Sequence, residues 1–378
     1  MQNDDVIALT RELLAFDTSG PQGGEEASAW FLGGLLSADG FAVRYDQLAP
    51  GRLTLVAEKG LADDTPPLVF SGHLDTVPLG IRPWKEPPFA GRIREGRLYG
   101  RGASDMKGGI AAMLCAARRA FAKAVPRGGL RFIFTAAEEP GCLGAQHLAD
   151  TQYRLGQARA LIIGEPTSNV PYLGHKGALY LKVSASGRTA HSSMPELGDN
   201  AIYKAARAIT RIASFCFDAE RDALHGMPTI NVGRMSGGEN MNSVPDHAEF
   251  SVDIRTTAMV NHTEIRERLC RELGDEVVVE TLVDLTPVNT RADDPFARMV
   301  DAICGVPAAG GCDRPRSLSY VTDGSHLQRL YNGAPTIILG PGEPGQAHRT
   351  NEYCLTDKLR EAVTLYETII LKNGELQI

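Results

Sequence analysis

A histidine and an aspartate follow one apolar segment of the chain. His73 and Asp75 come directly after Leu68–Gly72, and residues two apart on an extended chain point to the same side. Asp75 can therefore accept a hydrogen bond from the His73 ring and orient that ring toward a metal ion. The pair by itself is also compatible with a surface turn, so its chemistry depends on what surrounds it.

Two further segments deliver carboxylates beside predicted elements. The Gly-rich stretch Gly100–Gly109 places Asp105 before a predicted helix. A helix N-cap or a phosphate loop are alternatives, although the spacing does not match a Walker A loop. Glu138 and Glu139 directly follow the apolar segment Leu130–Thr135. Two adjacent carboxylates at the end of a buried strand call for a balancing positive charge, whereas a surface pair is simply solvated.

Glu165 and His348 follow the apolar segments Ala160–Gly164 and Pro335–Leu339. Because sites in open α/β sheets form beyond the carboxyl ends of the strands, we expect these side chains to gather. Oxygen and imidazole ligands without thiolates suit zinc, and to a lesser degree cobalt or manganese. If Asp105 is shared by two metal ions, Glu138 is left over as a base. The predicted metal ligands are His73, Asp105, Glu139, Glu165 and His348.

Apolar segments that alternate with helices predict the elements that position these residues. Residues 5–39 are typical of two helices joined by a Gly-rich loop, and Gly108–Ala124 is a third predicted helix. This pattern is typical of an α/β sheet covered on both faces. The predicted strands are Leu53–Ala57, Leu68–Ser71, Leu130–Thr135 and Ala160–Gly164.

From residue 178 the predicted order changes to β-α-β-β-α-β, which describes a small α+β, ferredoxin-like domain. Its predicted elements are Ala178–Ser186, Asn200–Phe217, Thr229–Met235, Ala248–Arg255, Thr263–Leu273 and Val277–Val283. After Pro287 the α/β pattern returns, with a helix, a strand and a closing helix. These are Asp294–Cys304, Pro335–Leu339 and Leu355–Lys372. We therefore predict a larger domain from residues 1–177 and 291–378, with residues 178–290 inserted into it.

Composition argues against several classes of protein. The chain has 378 residues and a net charge of −7, so nothing suggests a nucleic-acid or membrane partner. The start, Met1–Asp5, is acidic, which is unlike a secretory signal, and no apolar run reaches the length of a membrane span. The cysteines lack a CxxC pair, which disfavours disulfides and a thiolate zinc site and favours a reducing cytoplasm. They are Cys115, Cys142, Cys216, Cys270, Cys304, Cys312 and Cys354.

Five motifs occur in an order that resembles the co-catalytic zinc amidohydrolases of family M20. That family includes acetylornithine deacetylase, succinyl-diaminopimelate desuccinylase, aminoacylase and a glutamate-releasing carboxypeptidase. The resemblance spans nearly the whole chain. The motifs are Ser71–Pro78, Gly100–Gly109, Glu138–Glu139, Gly164–Thr167, and Ala347–His348 with Asn351–Glu352.

The resemblance implies a zinc-peptidase-like α/β catalytic domain with an inserted lid and dimerisation domain. It implies that His73 and Glu165 hold one zinc ion and that Glu139 and His348 hold the other. Asp105 would bridge the two ions.

The same resemblance implies roles for residues beyond the ligands. Asp75 would orient a zinc-bound histidine, and Glu138 would be the general base. His191 is similar to a lid histidine that reaches across a dimer, and Asn242 and Arg255 are similar to substrate-holding residues. On their own, His191 is compatible with an ordinary turn and Arg255 with a surface ion pair.

The implied function is hydrolysis of the amide bond of an N-acyl amino acid or short peptide by a metal-bridging hydroxide. Three segments look closest to acetylornithine deacetylase: Ile163–Ser168, His175–Gly177 and Gln346–His348. Thr322–Gly324 and Asn242–Pro245 look more like the desuccinylase and carboxypeptidase branches. A desuccinylase, a metallo-carboxypeptidase or dipeptidase, and a non-catalytic metal-binding relative are the alternatives. A homodimer through the inserted domain is also implied.

Overall fold

The computed structural model describes residues 5–20, 24–62, 64–151, 155–307 and 316–374. The chain forms two compact units. The first comprises Met1–Gly174, Asn289–Leu318 and Thr322–Ile378, and the second comprises His175–Val288 and Ser319–Val321. The predicted breaks differ from these by only a few residues, and the prediction did not place Ser319–Val321 in the inserted unit.

Helices and strands alternate through the described residues. The helices are α1 (Asp5–Leu14), α2 (Glu25–Ala38), α3 (Lys107–Lys123), α4 (Leu143–Asp150), α5 (Ala201–Ala213), α6 (His262–Leu273), α7 (Pro295–Ile303), α8 (Gly324–Leu330) and α9 (Thr356–Asn373). The strands are β1 (Ala42–Ala49), β2 (Arg52–Lys59), β3 (Leu68–His73), β4 (Arg92–Arg94), β5 (Arg97–Tyr99), β6 (Leu130–Thr135), β7 (Ala160–Ile163), β8 (Gly174–His175), β9 (Gly177–Ser186), β10 (Thr229–Gly237), β11 (His247–Thr256), β12 (Val277–Leu285), β13 (Val288–Asn289), β14 (Ser317–Leu318), β15 (Thr336–Ile338) and β16 (Tyr353–Leu355).

The first unit is built on a mixed six-stranded sheet with the order β1-β2-β6-β3-β7-β15. The strands β6, β3, β7 and β15 are parallel, so their carboxyl ends meet at one edge. Every residue of β3, β6 and β7 is buried, which explains their largely apolar sequences. Aromatic rings fill the core beneath them, among them Phe70 against Phe132 and Tyr366.

The sequence prediction missed several elements of this unit, among them the strand β1 and the helix α4. Within the part of the chain that the structure describes, the strand β1 pairs only with β2, and its side chains are half-buried or exposed, so it lacks the apolar run of a central strand. The helix α4 is short and starts directly after the Glu138–Glu139 turn, where Gly and Pro obscure its period.

The second unit contains an antiparallel four-stranded sheet with the order β10-β11-β9-β12. It also contains the helices α5 and α6. Its strands connect as β-α-β-β-α-β, so the predicted ferredoxin-like arrangement is confirmed. Buried and half-buried residues alternate along β9 and β11, because one face packs on the helices. Asn200 caps α5 by accepting from the Tyr203 amide at 3.1 Å, and α5 ends at Ala213, earlier than predicted.

The cysteines of the described residues are free thiols, as predicted. Within the described ranges, no helix combines the length and the apolar character needed to cross a bilayer. Cys312 and residues 1–4, which entered the sequence argument, lie outside the described residues, as do residues 21–23 of the predicted Gly-rich loop.

Candidate metal and catalytic site

The predicted ligands meet at the carboxyl edge of the first unit's sheet. His73 is the last residue of β3, and Glu139 lies shortly after β6. Glu165 follows β7, and His348 follows β15 after a longer loop. Asp105 comes from the turn before α3, whose N-cap is Met106 rather than Asp105. The N-cap alternative for Asp105 is therefore wrong, because its carboxylate faces the other ligands.

The Asp105 carboxylate lies between the two histidines. Its Oδ1 is 3.1 Å from Nε2 of His73, and its Oδ2 is 3.5 Å from Nε2 of His348. A carboxylate oxygen of Glu165 is 3.8 Å from Nε2 of His73. On the other side, Oε2 of Glu139 is 3.0 Å from Nε2 of His348. The five side chains thus form two groups that share Asp105.

Asp75 supports the site through different atoms from those in the predicted hydrogen bond between its carboxylate and the His73 ring. Nδ1 of His73 lies 2.9 Å from the backbone oxygen of Asp75 and 3.6 Å from its carboxylate. The carboxylate instead accepts the backbone amides of Glu138 and Glu139 at 3.0 and 3.1 Å. Asp75 therefore holds both His73 and the double-glutamate turn, through different atoms.

Buried negative charge dominates the electrostatics of the site. Burial raises the pKa of the Glu138 carboxyl well above its usual range, and the nearby Glu165 raises it further. Burial also raises the pKa of Glu165, where the charge of Asp105 adds to the effect. Conversely, hydrogen bonds with Asp105 and Glu139 raise the pKa of His348 to about 10. Carboxylates packed this closely repel one another unless a cation lies among them.

The donor set fits divalent metal ions. Ligand atoms of His73, Asp105 and Glu139 all lie within 4.8 Å of one another. Oε1 of Glu139 is buried and has no hydrogen-bond partner among the described residues, although a buried carboxylate oxygen needs one. Imidazole and carboxylate donors without thiolates suit zinc, cobalt or manganese.

Glu352 fixes the loop that carries Asp105. The strand β16 pairs with β5, which brings Glu352 beside the turn that follows β5. Its buried carboxylate accepts the backbone amides of Gly102, Ser104 and Asp105 at 3.0, 2.8 and 3.0 Å. It also binds Arg101 Nη1 at 2.6 Å. The sequence showed Glu352 as part of a motif, but gave no role for it.

Sequence reasoning also missed Asp323 and Cys142 as neighbours of Glu138. The three ligand atoms of Glu138, Cys142 and Asp323 lie within 4.8 Å of one another, and all three residues are buried. Asp323 accepts a short hydrogen bond from Thr135. Burial raises the pKa of Asp323 to about 6. No apolar strand leads into Asp323, so the signal used for the other carboxylates was absent.

The remaining predicted residues lie in the inserted unit. His191 and Asn242 are exposed on adjacent segments, where the Ser192 amide donates to the Asn242 carbonyl at 3.0 Å. Nδ1 of His191 lies 2.8 Å from Oγ of Ser193. Asn242 precedes the start of β11.

Arg255 lies near the other end of β11, which is roughly 30 Å long at the usual rise per residue. Its Nε contacts Asp253 at 2.9 Å, and its guanidinium carbon lies 5.2 Å from the centroid of the Tyr180 ring. The ion pair considered as an alternative for Arg255 is therefore present. A substrate carboxylate would have to compete with Asp253 for the guanidinium.

Comparison with known proteins bears on this arrangement. The model of peptidase family M20/M25/M40 matches residues 69–372. The chain is 32% identical to acetylornithine deacetylase of Vibrio vulnificus, covering 93% of this chain and 92% of that protein. It is 29% identical to a probable succinyl-diaminopimelate desuccinylase of Staphylococcus epidermidis, with 98% of each chain covered.

The fold is also that of a solved relative. A M20-family metallo-carboxypeptidase from Sulfolobus solfataricus superposes with a TM-score of 0.78, at 19% identity, over 99% of this chain and 100% of that chain. The family match covers most of the chain and includes every predicted metal ligand. The chain therefore belongs to peptidase family M20/M25/M40 and is a metal-dependent hydrolase of that family.

Proposed function

We propose that this protein hydrolyses the amide bond of N-acyl amino acids with the aid of two zinc ions. One observation carries the proposal: the Asp105 carboxylate faces both histidines, with a further carboxylate beside each ring. Such a shared carboxylate is the arrangement that a pair of metal ions requires. Cobalt or manganese are possible substitutes.

The two groups of ligands suggest how the ions would be held. His73 and Glu165 would hold one ion, Glu139 and His348 the other, and Asp105 both. When bound, the pair polarises the scissile carbonyl and makes a water molecule more acidic. Asp75 keeps the His73 ring and the Glu139 backbone in place through the contacts described above.

Glu138 is the base in this proposal. It follows Thr135 at the same edge of the sheet as the ligands, yet it makes none of the histidine contacts that they make. As an ionised carboxylate, Glu138 can take a proton from water and pass it to the leaving nitrogen. Its buried position also shields that proton from exchange with solvent.

We further propose that the inserted unit recognises the substrate. His191 would donate to the carbonyl oxygen as it gains negative charge, a contribution of ~3–4 kcal/mol for such donors. Asn242 would hold the substrate backbone. Arg255 would bind the amino acid carboxylate, because its planar fork matches a carboxylate.

A homodimer would bring these residues together. His191 and Asn242 lie near one end of β11 and Arg255 near the other, which supports a site completed by two copies. The strand β10 is at an edge of its sheet, where its residue Met235 is 43% exposed, and Tyr203 of α5 is 65% exposed. Unpaired edge strands bind other chains readily. The cytoplasmic location stays a prediction.

The acyl group is the open part of the specificity. The deacetylase relative favours N-acetyl substrates such as acetylornithine. The desuccinylase relative favours N-succinyl substrates, and the solved carboxypeptidase favours peptides, which form the alternative proposals. All three reactions hydrolyse an amide bond, and they differ only in the substrate that the binding pocket admits.

A substrate panel tests the function directly. Zinc-loaded protein would be assayed on N-acetyl amino acids, N-succinyl amino acids and dipeptides, with a chelator-treated control. We expect chelator-sensitive release from N-acetyl amino acids. Release from another class would select an alternative branch, and silence across the panel with zinc bound would overturn amide hydrolysis as the function.

A further inference from the structure

The Cys142 side chain lies directly against the carboxylate of Glu138. Its Sγ is 3.5 Å from Oε1 of Glu138, within the range for a thiol hydrogen bond. Cys142 is fully buried, and Glu138 is 9% exposed. A thiol has one proton to donate, and an ionised carboxylate can only accept.

A tight backbone turn brings Cys142 back beside Glu138. The Cys142 amide donates to the Glu138 carbonyl at 2.7 Å, and the Leu143 amide donates to the Ala137 carbonyl at 2.8 Å. Cys142 adopts a φ of 59°, in the left-handed region that favours glycine. A side chain is nevertheless present at this position, which points to a use for it.

The surroundings keep the thiol protonated. Burial raises the pKa of Cys142 well above its usual value, and the charges of Glu138 and Asp323 raise it further. Asp323 already accepts from Thr135 on one oxygen. The Cys142 Sγ therefore lies near both carboxylates, and it hydrogen-bonds Oε1 of Glu138.

We propose that Cys142 is a positioning residue for the base: its thiol donates to Oε1 of Glu138 and leaves Oε2 to exchange the proton with the reacting groups. The inference rests on the proposed function, in which Glu138 is the base. A carboxylate held through one oxygen presents the other in a single orientation, which lowers the cost of reaching the reactive geometry.

Two substitutions of the same position separate a donor from mere packing. Cys142→Ala removes the donor, and Cys142→Ser keeps one. We expect Cys142→Ala to lower kcat about tenfold with little change in KM, because a hydrogen bond to a charged group is lost. Cys142→Ser should recover to within about threefold of the parent. Cys115→Ala is the control, since Cys115 is also buried but lies within α3.

Metal content and melting temperature would be measured for each variant. Unchanged kcat in a fully loaded Cys142→Ala protein would overturn the proposal. Equal losses in Cys142→Ala and Cys142→Ser, with equal metal content, would also overturn it, because volume rather than donation would then matter.

The hydrogen bond has a readout that needs no activity. The S–H stretching band of Cys142 can be assigned in the infrared spectrum by its loss in Cys142→Ser. We expect Glu138→Ala to move that band toward the frequency of a free thiol and Cys115→Ala to leave it in place. An unmoved band would refute the thiol–carboxylate bond, whereas inactivity of the parent protein on amides would refute only the proposed function.

Discussion

The two units differ in the burial and contacts of their candidate functional residues. In the first unit, His73, Asp105 and Glu165 are buried and contact one another before any substrate binds. In the inserted unit, His191 is exposed and Arg255 is occupied by a neighbouring aspartate. Polar groups fixed in a desolvated site can act on charge as it develops, whereas exposed groups acquire their partners on binding. We infer that the first unit supplies the metal ligands and the base, whereas the inserted unit supplies groups that contact the substrate, among them an oxyanion donor.

The most damaging change to the first unit short of removing a ligand should be Glu138→Gln. The amide cannot take a proton, so turnover should fall at least about 100-fold, the usual contribution of a general base. Zinc content should remain that of the parent. Steady-state kinetics with metal analysis check this, and Glu95→Gln, an exposed glutamate, is the control. Turnover near the parent level would remove Glu138 from the reaction.

His191→Ala tests the claim for the inserted unit. Loss of an oxyanion donor should lower kcat about 100-fold without loss of metal. If the site is completed in a dimer, mixing this variant with Glu138→Gln should restore part of the activity, because one hybrid site holds both residues. His247→Ala is the matched control, being another exposed histidine of this unit. No recovery on mixing, with hybrid dimers shown to form, would argue for a site within one chain.

Acid should weaken the inserted unit through His175. Burial lowers the pKa of His175 to about 4 in the folded protein, against an ordinary value of 6.5. Between these values the unfolded chain binds the extra proton, so stability is complete above pH 6.5 and falls as the pH drops toward 4, by ~3 kcal/mol. Denaturant unfolding at pH 7 and pH 5 checks this. His175→Gln should lose less stability over that interval than the parent, and an identical loss would contradict the assignment.

Glu352→Gln should have the smallest effect of the four. It removes the charge that holds the amides of the Asp105 loop, so zinc affinity should fall about 10–100-fold, as for other supports of metal ligands. Competition with a chelator of known affinity measures this. Glu361→Gln is the control, since Glu361 makes an exposed pair with Lys358. Parent-like affinity would reduce Glu352 to a role in folding.

Strand ends were the part of the site that sequence could predict. The buried strands β3, β6 and β7 are largely apolar, and a proposed metal ligand or the proposed base lies at the end of each strand or within three residues after it. The candidate metal ligands could therefore be predicted from the strand ends and the family resemblance, and their role as ligands stays a prediction. The edge strand β1 was not predicted because solvent-facing residues interrupt its apolar pattern.

Contacts between distant segments could not be predicted. Glu352 reaches the Asp105 loop only because β16 pairs with β5, a pairing of short strands that no periodicity marks. Asp323 likewise joins Thr135 through tertiary packing alone. Asp75 was recognised, but which of its oxygen atoms meets the His73 ring depends on backbone geometry that sequence does not specify.

A zinc titration of chelator-stripped protein, with binding followed by calorimetry, tests whether two metal ions share this site. We expect two equivalents per chain for the parent protein. Asp105→Ala should impair both equivalents, because its two oxygens face the two histidines. No zinc binding by the parent, or two undisturbed equivalents in Asp105→Ala, would contradict a shared two-metal site.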